Sequence, residues 1–122
     1  MSMKLIIAHL AHDAYDSVRG ELRDLGVHQT TISEVRVSDP GTAVTLRYRG
    51  ATMQTHLRPC LKLECVVGDE QSPSVVRVLR RHMSEGETVP SRVAVLDLEE
   101  LYEAAAKDEL FPDDPRLDTA LQ

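Results

Sequence analysis

The apolar residues of this chain switch between strand and helix spacing in an order that few folds can accommodate. Residues 5–9 form a short apolar run bounded by polar residues, the pattern of a strand buried on both faces. After Asp13, Tyr15, Val18, Leu22 and Leu25 recur at helical spacing, and Gly26 supplies the stop. Residues 30–37 alternate and are rich in β-branched side chains, which predicts a second strand. Pro59 opens a third strand over 60–67. Ser72 and Pro73 then give a helix N-cap followed by proline in the first turn. Val75, Val76, Leu79 and Met83 share one face of that helix, with Arg77, Arg80 and Arg81 on its solvated side. Residues 93–96 read as a fourth strand and 98–110 as a further helix, ended by the Pro112–Pro115 stretch. The tail at about 111–122 carries no core pattern. The order β-α-β-β-α-β predicts an α+β, ferredoxin-like domain with an extra C-terminal helix.

With 122 residues, 42% of them apolar, the chain is long enough for one domain, spanning 1–122, with a real core. Its net charge of −6 is spread through mixed acidic and basic residues, which argues against a nucleic-acid or anionic-membrane surface. No apolar run approaches the roughly 20 residues of a membrane span. Lys4 leads straight into a strand-like segment rather than a leader pattern, so a cytoplasmic protein is expected. Cys60 and Cys65 are too few for a disulfide framework and read as free thiols. Aromatic residues make up 3%, with no Trp, so the core is aliphatic and no base-stacking platform exists. Ser17, Ser33 and Ser91 lack a nucleophile-elbow context, and no nucleophile–base–orienter set is visible; an enzyme is not expected.

The connection between the second and third strands, about 38–58, is far longer than the two to five residues usual in a hairpin. Asp39-Pro40-Gly41 signals a turn, and alternation of Val44, Leu46 and Tyr48 lets part of the segment extend as a ribbon. Within it lies Tyr48-Arg49-Gly50-Ala51, followed by Pro59 and the strand Leu61-Lys62-Leu63-Glu64-Cys65-Val66-Val67. Together with Lys4-Leu5-Ile6-Ile7-Ala8 and the stretch from Gly26-Val27-His28 to Glu34-Val35-Arg36, these residues resemble the PII family of nitrogen-regulatory signal transduction proteins. The resemblance runs from Met3 to about Ala105. It implies a homotrimer in which 38–58 is the T-loop, an arm that docks on a membrane transporter or a metabolic enzyme. Arg47, Tyr48 and Arg49 are then the candidate partner contacts. It also makes 84–92 the B-loop, which wraps nucleotide phosphates between subunits, and makes the C-terminal segment the part that closes the same site from the neighbouring chain.

Several departures from that pattern change what the resemblance implies. Uridylylated members carry a Tyr five residues after the Tyr of the motif; Met53 stands there, and a thioether accepts no nucleotidyl group. Gly41 replaces the glutamine of the loop entry, and Cys60 replaces the lysine that pairs with 2-oxoglutarate. In the B-loop only Gly86 and a basic residue at Arg92 remain, Glu87 puts a carboxylate where a lysine should meet phosphate, and Pro90 offers no amide hydrogen. Two phosphate-binding arginines fall on Glu103 and Ala105. Each lost charged bond costs about 1–3 kcal/mol, so ATP affinity drops from micromolar to millimolar or weaker. No cofactor is required; ATP and 2-oxoglutarate are not expected, whereas ADP or AMP is less strongly excluded. Gly41, Arg58, Gly86 and Arg92 are the candidate ligand residues of the rebuilt cleft. Two alternatives stand beside this one. In the first, His9, His12 and His56 hold a divalent metal, as in a metal-tolerance trimer of the same fold. In the second, the trimer is a ligand-free adaptor.

Overall fold

A computed structural model describes residues 2–38, 44–83 and 91–104. Strand β1 (Met3–Leu10) is followed by a 3-10 turn (His12–Ala14) and helix α1 (Tyr15–Asp24), then β2 (Thr31–Ser38). A pair of short strands, β3 (Val44–Tyr48) and β4 (Ala51–Thr55), precedes the long β5 (Leu57–Gly68). Helix α2 (Ser72–Arg81) and β6 (Arg92–Leu98) complete the order. The four long strands form one sheet in the order β2-β5-β1-β6 with every pair antiparallel, while β3 and β4 pair only with each other. That is the split βαβ topology the hydrophobic pattern predicts, with a two-stranded ribbon inserted between its second and third core strands.

Both helices lie on one face of the sheet. Ile6, Ala8 and Leu10 of β1 pair across to Cys65, Leu63 and Leu61 of β5, and all six are buried. Val18 and Leu22 of α1 and Val75, Val78 and Leu79 of α2 close over the sheet to form a single aliphatic cluster. The two thiols are free and buried, and burial pushes the Cys65 thiol up to about 11. β1 is not buried on both faces as its apolar run suggests: Leu5, Ile7 and His9, which point away from the helices, are only half-buried. Both described helices pack over the first face alone; on the second, Leu5, Ile7 and His9 stay half-buried while Cys60 and Arg58 near the start of β5 are buried.

Local chemistry sets the ends of the elements. Gly26, at φ +89°, ends α1 in a Schellman arrangement: its N–H donates to the Arg23 carbonyl and that of Val27 to the Leu22 carbonyl, both at 2.9 Å. The Gln71 amide donates to the Leu25 carbonyl at 2.7 Å, tying the end of α1 to the start of α2. Gln71, not Ser72, is the cap residue of α2; Ser72 is already helical and Pro73 follows it in the first turn. β5 starts two residues before Pro59 rather than after it. The proline is tolerated because β1 pairs with β5 only from Leu61 onward, so at Pro59 only β2 lies alongside and no β1 bond is lost. The C-terminal helix expected over 98–110 does not begin there: Leu98 ends β6 against Met3, and residues 99–104 are not helical. Leu101 and Tyr102 are exposed at 43% and 85%, so no buried apolar face supports a helix. The remaining predicted helix and the tail lie outside the described residues.

Candidate functional site: a cationic corner and a ribbon arm

Antiparallel register brings charge together on the open face of the sheet. Arg92 of β6 stands opposite His9 of β1, His9 opposite Lys62 of β5, and Lys62 opposite Ser33 of β2. Two residues along β5 on the same face is Cys60, and two further is Arg58; these are buried at 0% and 6% exposure. The Arg92 Nε–H donates to His9 Nδ1 at 3.4 Å, so this ring nitrogen is the acceptor and the ring proton sits on Nε2. Burial, then the Arg92 and Lys62 charges, hold the His9 ring below its ordinary value. Burial raises the Cys60 thiol while the Arg92 guanidinium works against it, which puts Arg92 within electrostatic reach of the thiol as well. A positive charge from β6 thus serves the corner where the sequence has Cys60 instead of a lysine.

Farther along the same face the charge changes sign. Lys62 pairs with Glu64 at 3.4 Å. Glu64 and Val66 of β5, Leu5 and Thr31 line a cleft of about 750 Å³ with Tyr15 and Arg19 of α1, and Leu101 and Glu103 of the segment after β6 complete its wall. Two carboxylates, Glu64 and Glu103, therefore share the cleft with the Arg19 guanidinium, which leaves it without the excess of cations a polyphosphate needs. Leu101 carried no signal in the sequence; Thr31 meets Glu64 through the β2–β5 register, and Leu101 joins the cleft wall from the segment after β6.

The arm is built by its turn. Tyr48 pairs with Ala51, and between them Arg49 (φ 51°) and Gly50 (φ 77°) both adopt left-handed backbone. Two successive positive φ values are the mark of a type I′ turn, whose twist matches that of the strands it joins. The Tyr-Arg-Gly-Ala motif is thus the tip of a two-residue hairpin, and Arg47 and Arg49 are exposed on it. Among the described residues the ribbon is paired to no other strand.

The candidate metal ligands are drawn apart. His9 faces Arg92 on the β6 side, whereas His12 lies in the 3-10 turn with Glu34 of β2 at 3.8 Å, and His56 is exposed in the bend between β4 and β5. Two cations flank His9, an environment that repels a divalent ion. Among the described residues no three His, Cys, Asp or Glu side chains come close enough to hold a metal ion. Gly41 and Gly86 lie outside the described residues, as does the B-loop up to Pro90.

Solved GlnK and PII structures share this ferredoxin-like fold. GlnK of B. subtilis matches with a TM-score of 0.61 at 20% identity, covering 80% of this chain and 86% of that one. Its ATP complex matches at 0.59 and 18% identity, over 80% and 82%. Arabidopsis thaliana PII bound to citrate matches at 0.59 and 20%, over 78% and 76%. In sequence, the chain is 30% identical over 107 residues to the nitrogen regulatory protein P-II of Pasteurella multocida (strain Pm70), covering 88% of this chain and 96% of the relative. The P-II protein of Haemophilus influenzae (strain ATCC 51907 / DSM 11121 / KW20 / Rd) is 32% identical over 97 residues, covering 80% and 87%. No family model matches. On these relatives the chain belongs to the nitrogen regulatory P-II family, as a divergent member.

Proposed function

We propose that this protein is a cytoplasmic homotrimer that acts by binding. Its ribbon docks on a transporter or a metabolic enzyme under the control of a small anionic ligand held between chains. The observation that carries this reading is the arm itself, a type I′ hairpin standing apart from the sheet with Arg47 and Arg49 exposed around its tip. The half-buried open face, with Leu96 still 44% exposed, is the surface through which the three sheets meet. Ligand binding falls to Arg92 in the row with His9 and Lys62 and to Arg58 four residues farther along β5, with Gly41 and Gly86 as further candidates. One structural relative holds ATP and another citrate. For this chain an anion smaller than ATP fits better, because two carboxylates, Glu64 and Glu103, line the adjoining cleft beside the single guanidinium of Arg19. A nucleoside monophosphate or diphosphate, or a carboxylate, is the matching class. No uridylylation occurs at Met53. Among the described residues no helix is long and apolar enough to cross a membrane.

The test has two arms. Light scattering on the purified protein gives the assembly; a monomer would sink the trimer and with it an inter-subunit site. Affinity capture with wild-type protein and with Arg47→Ala/Arg49→Ala then asks whether one specific protein is lost with the arm charges. Calorimetry with AMP, ADP, ATP and citrate ranks the ligands: micromolar ATP with weaker AMP and ADP would overturn the assignment of ligand class.

A further inference from the structure

We propose that His9 makes oxyanion binding at the cationic corner proton-linked, so that taking up a proton frees Arg92 and adds a third donor to the site. Resting on the assignment of this corner as the ligand site, the linkage works through one hydrogen bond. With the ring neutral, His9 Nδ1 accepts from the Arg92 Nε–H at 3.4 Å, and the guanidinium is tied to the sheet. A proton arriving on Nδ1 turns that acceptor into a donor. Two donors cannot bond each other, so the guanidinium turns away and becomes available to an oxyanion.

The same three strands supply the donor cradle. Arg92 from β6, His9 from β1 and Lys62 from β5 lie in one row across the open face, with Ser33 of β2 next in line. The other groups facing the ring from β5 are Glu64, which pairs with Lys62 at 3.4 Å, and the Cys60 thiol; both helices are on the opposite face. Without an anion, the two neighbouring cations and burial disfavour the imidazolium, and the ring is held neutral. A doubly charged oxyanion reverses that balance by pairing with all three groups at once. Binding therefore takes up a proton, and by linkage affinity rises as pH falls through the histidine range of about 5 to 8. The ligand class is a small divalent oxyanion, either free or as a terminal phosphate ester.

Sulfate is the probe, because it stays doubly charged over that range and any proton taken up must come to the protein. Calorimetry at about pH 5.5 and about pH 7.5, in buffers of different ionisation enthalpy, measures affinity and proton uptake together. The wild type is expected to bind more tightly at the lower pH, by up to about tenfold per pH unit, the limit for one proton. His9→Gln should bind with no pH slope, and Arg92→Ala should not bind at either pH. On the wild type, the His9 ring resonances should titrate at higher pH with sulfate than without, a readout that does not depend on any variant folding. A flat pH profile in the wild type, or a slope that survives His9→Gln, overturns the linkage while leaving the corner a ligand site. Silence toward sulfate at both pH values overturns the linkage and the anion site together; the trimer and arm assays are untouched by that result.

Discussion

Replacing Gly50 by alanine isolates what the turn contributes to the arm. At φ 77° an added Cβ would meet nothing within 4 Å, so the substitution introduces no clash and acts through the backbone alone. Holding an L-residue in the left-handed region costs about 1–2 kcal/mol. The ribbon has five residues in each strand and pairs with no other described strand, so its stability is marginal to begin with. A loss of about 1–2 kcal/mol then lowers the folded-to-unfolded ratio of the hairpin about 5–30-fold. The core cluster of the described residues is built from β1, β5, the two helices and Val27, so thermal unfolding of the domain should stay where it is. Amide exchange of the β3–β4 ladder, followed by NMR, measures the effect, and affinity for the docking partner should weaken in proportion. Asparagine accepts this backbone far better than alanine, so Gly50→Asn should recover most of the protection. Unchanged exchange in Gly50→Ala, or equal damage from Ala and Asn, would refute the assignment of the turn as the element that forms the arm.

Three further outcomes test the rest of the molecule. Leu79 is fully buried between the helices and the sheet, so Leu79→Ala should cost about 2–5 kcal/mol, measured as the shift in a chemical denaturation midpoint. Glu21 accepts from His82 and also pairs with Arg81 at 2.8 Å; these contacts, His82 first, hold its carboxyl below the ordinary 4.5. Because the folded value is the depressed one, that contribution is present above the ordinary value and is lost as pH falls through the folded one. Glu21→Gln should accordingly flatten the acid side of the stability profile, and an unaltered acid limb would count against the contact. Both thiols are buried and raised, so neither Cys60 nor Cys65 should react with an aromatic disulfide reagent until the protein is denatured; rapid native labelling of either would contradict the packing of β5.

Some of this was written in the chain itself. An aliphatic core between helices and a sheet requires apolar residues at period 2 in strands and near 3.6 in helices, and the sequence shows both in βαββαβ order. Gly26 announced its turn because a Schellman cap needs a left-handed residue, and the length of the segment before Pro59 announced an arm. What the chain could not show is anything that depends on register between distant strands. Arg92, His9 and Lys62 have no common motif, and they meet only because β1 lies between β5 and β6 with His9 opposite both. Pro59 sits within a strand because its second edge is bare, a fact about where β1 ends. The segment from 98 to 104 has helix-forming residues, yet Leu98 is taken by pairing with Met3 and the rest finds no apolar surface to pack on. Local propensity and periodicity determine which elements form, because they act within a few residues. Tertiary structure alone decides which charges become neighbours, because that follows from the order and register of the sheet.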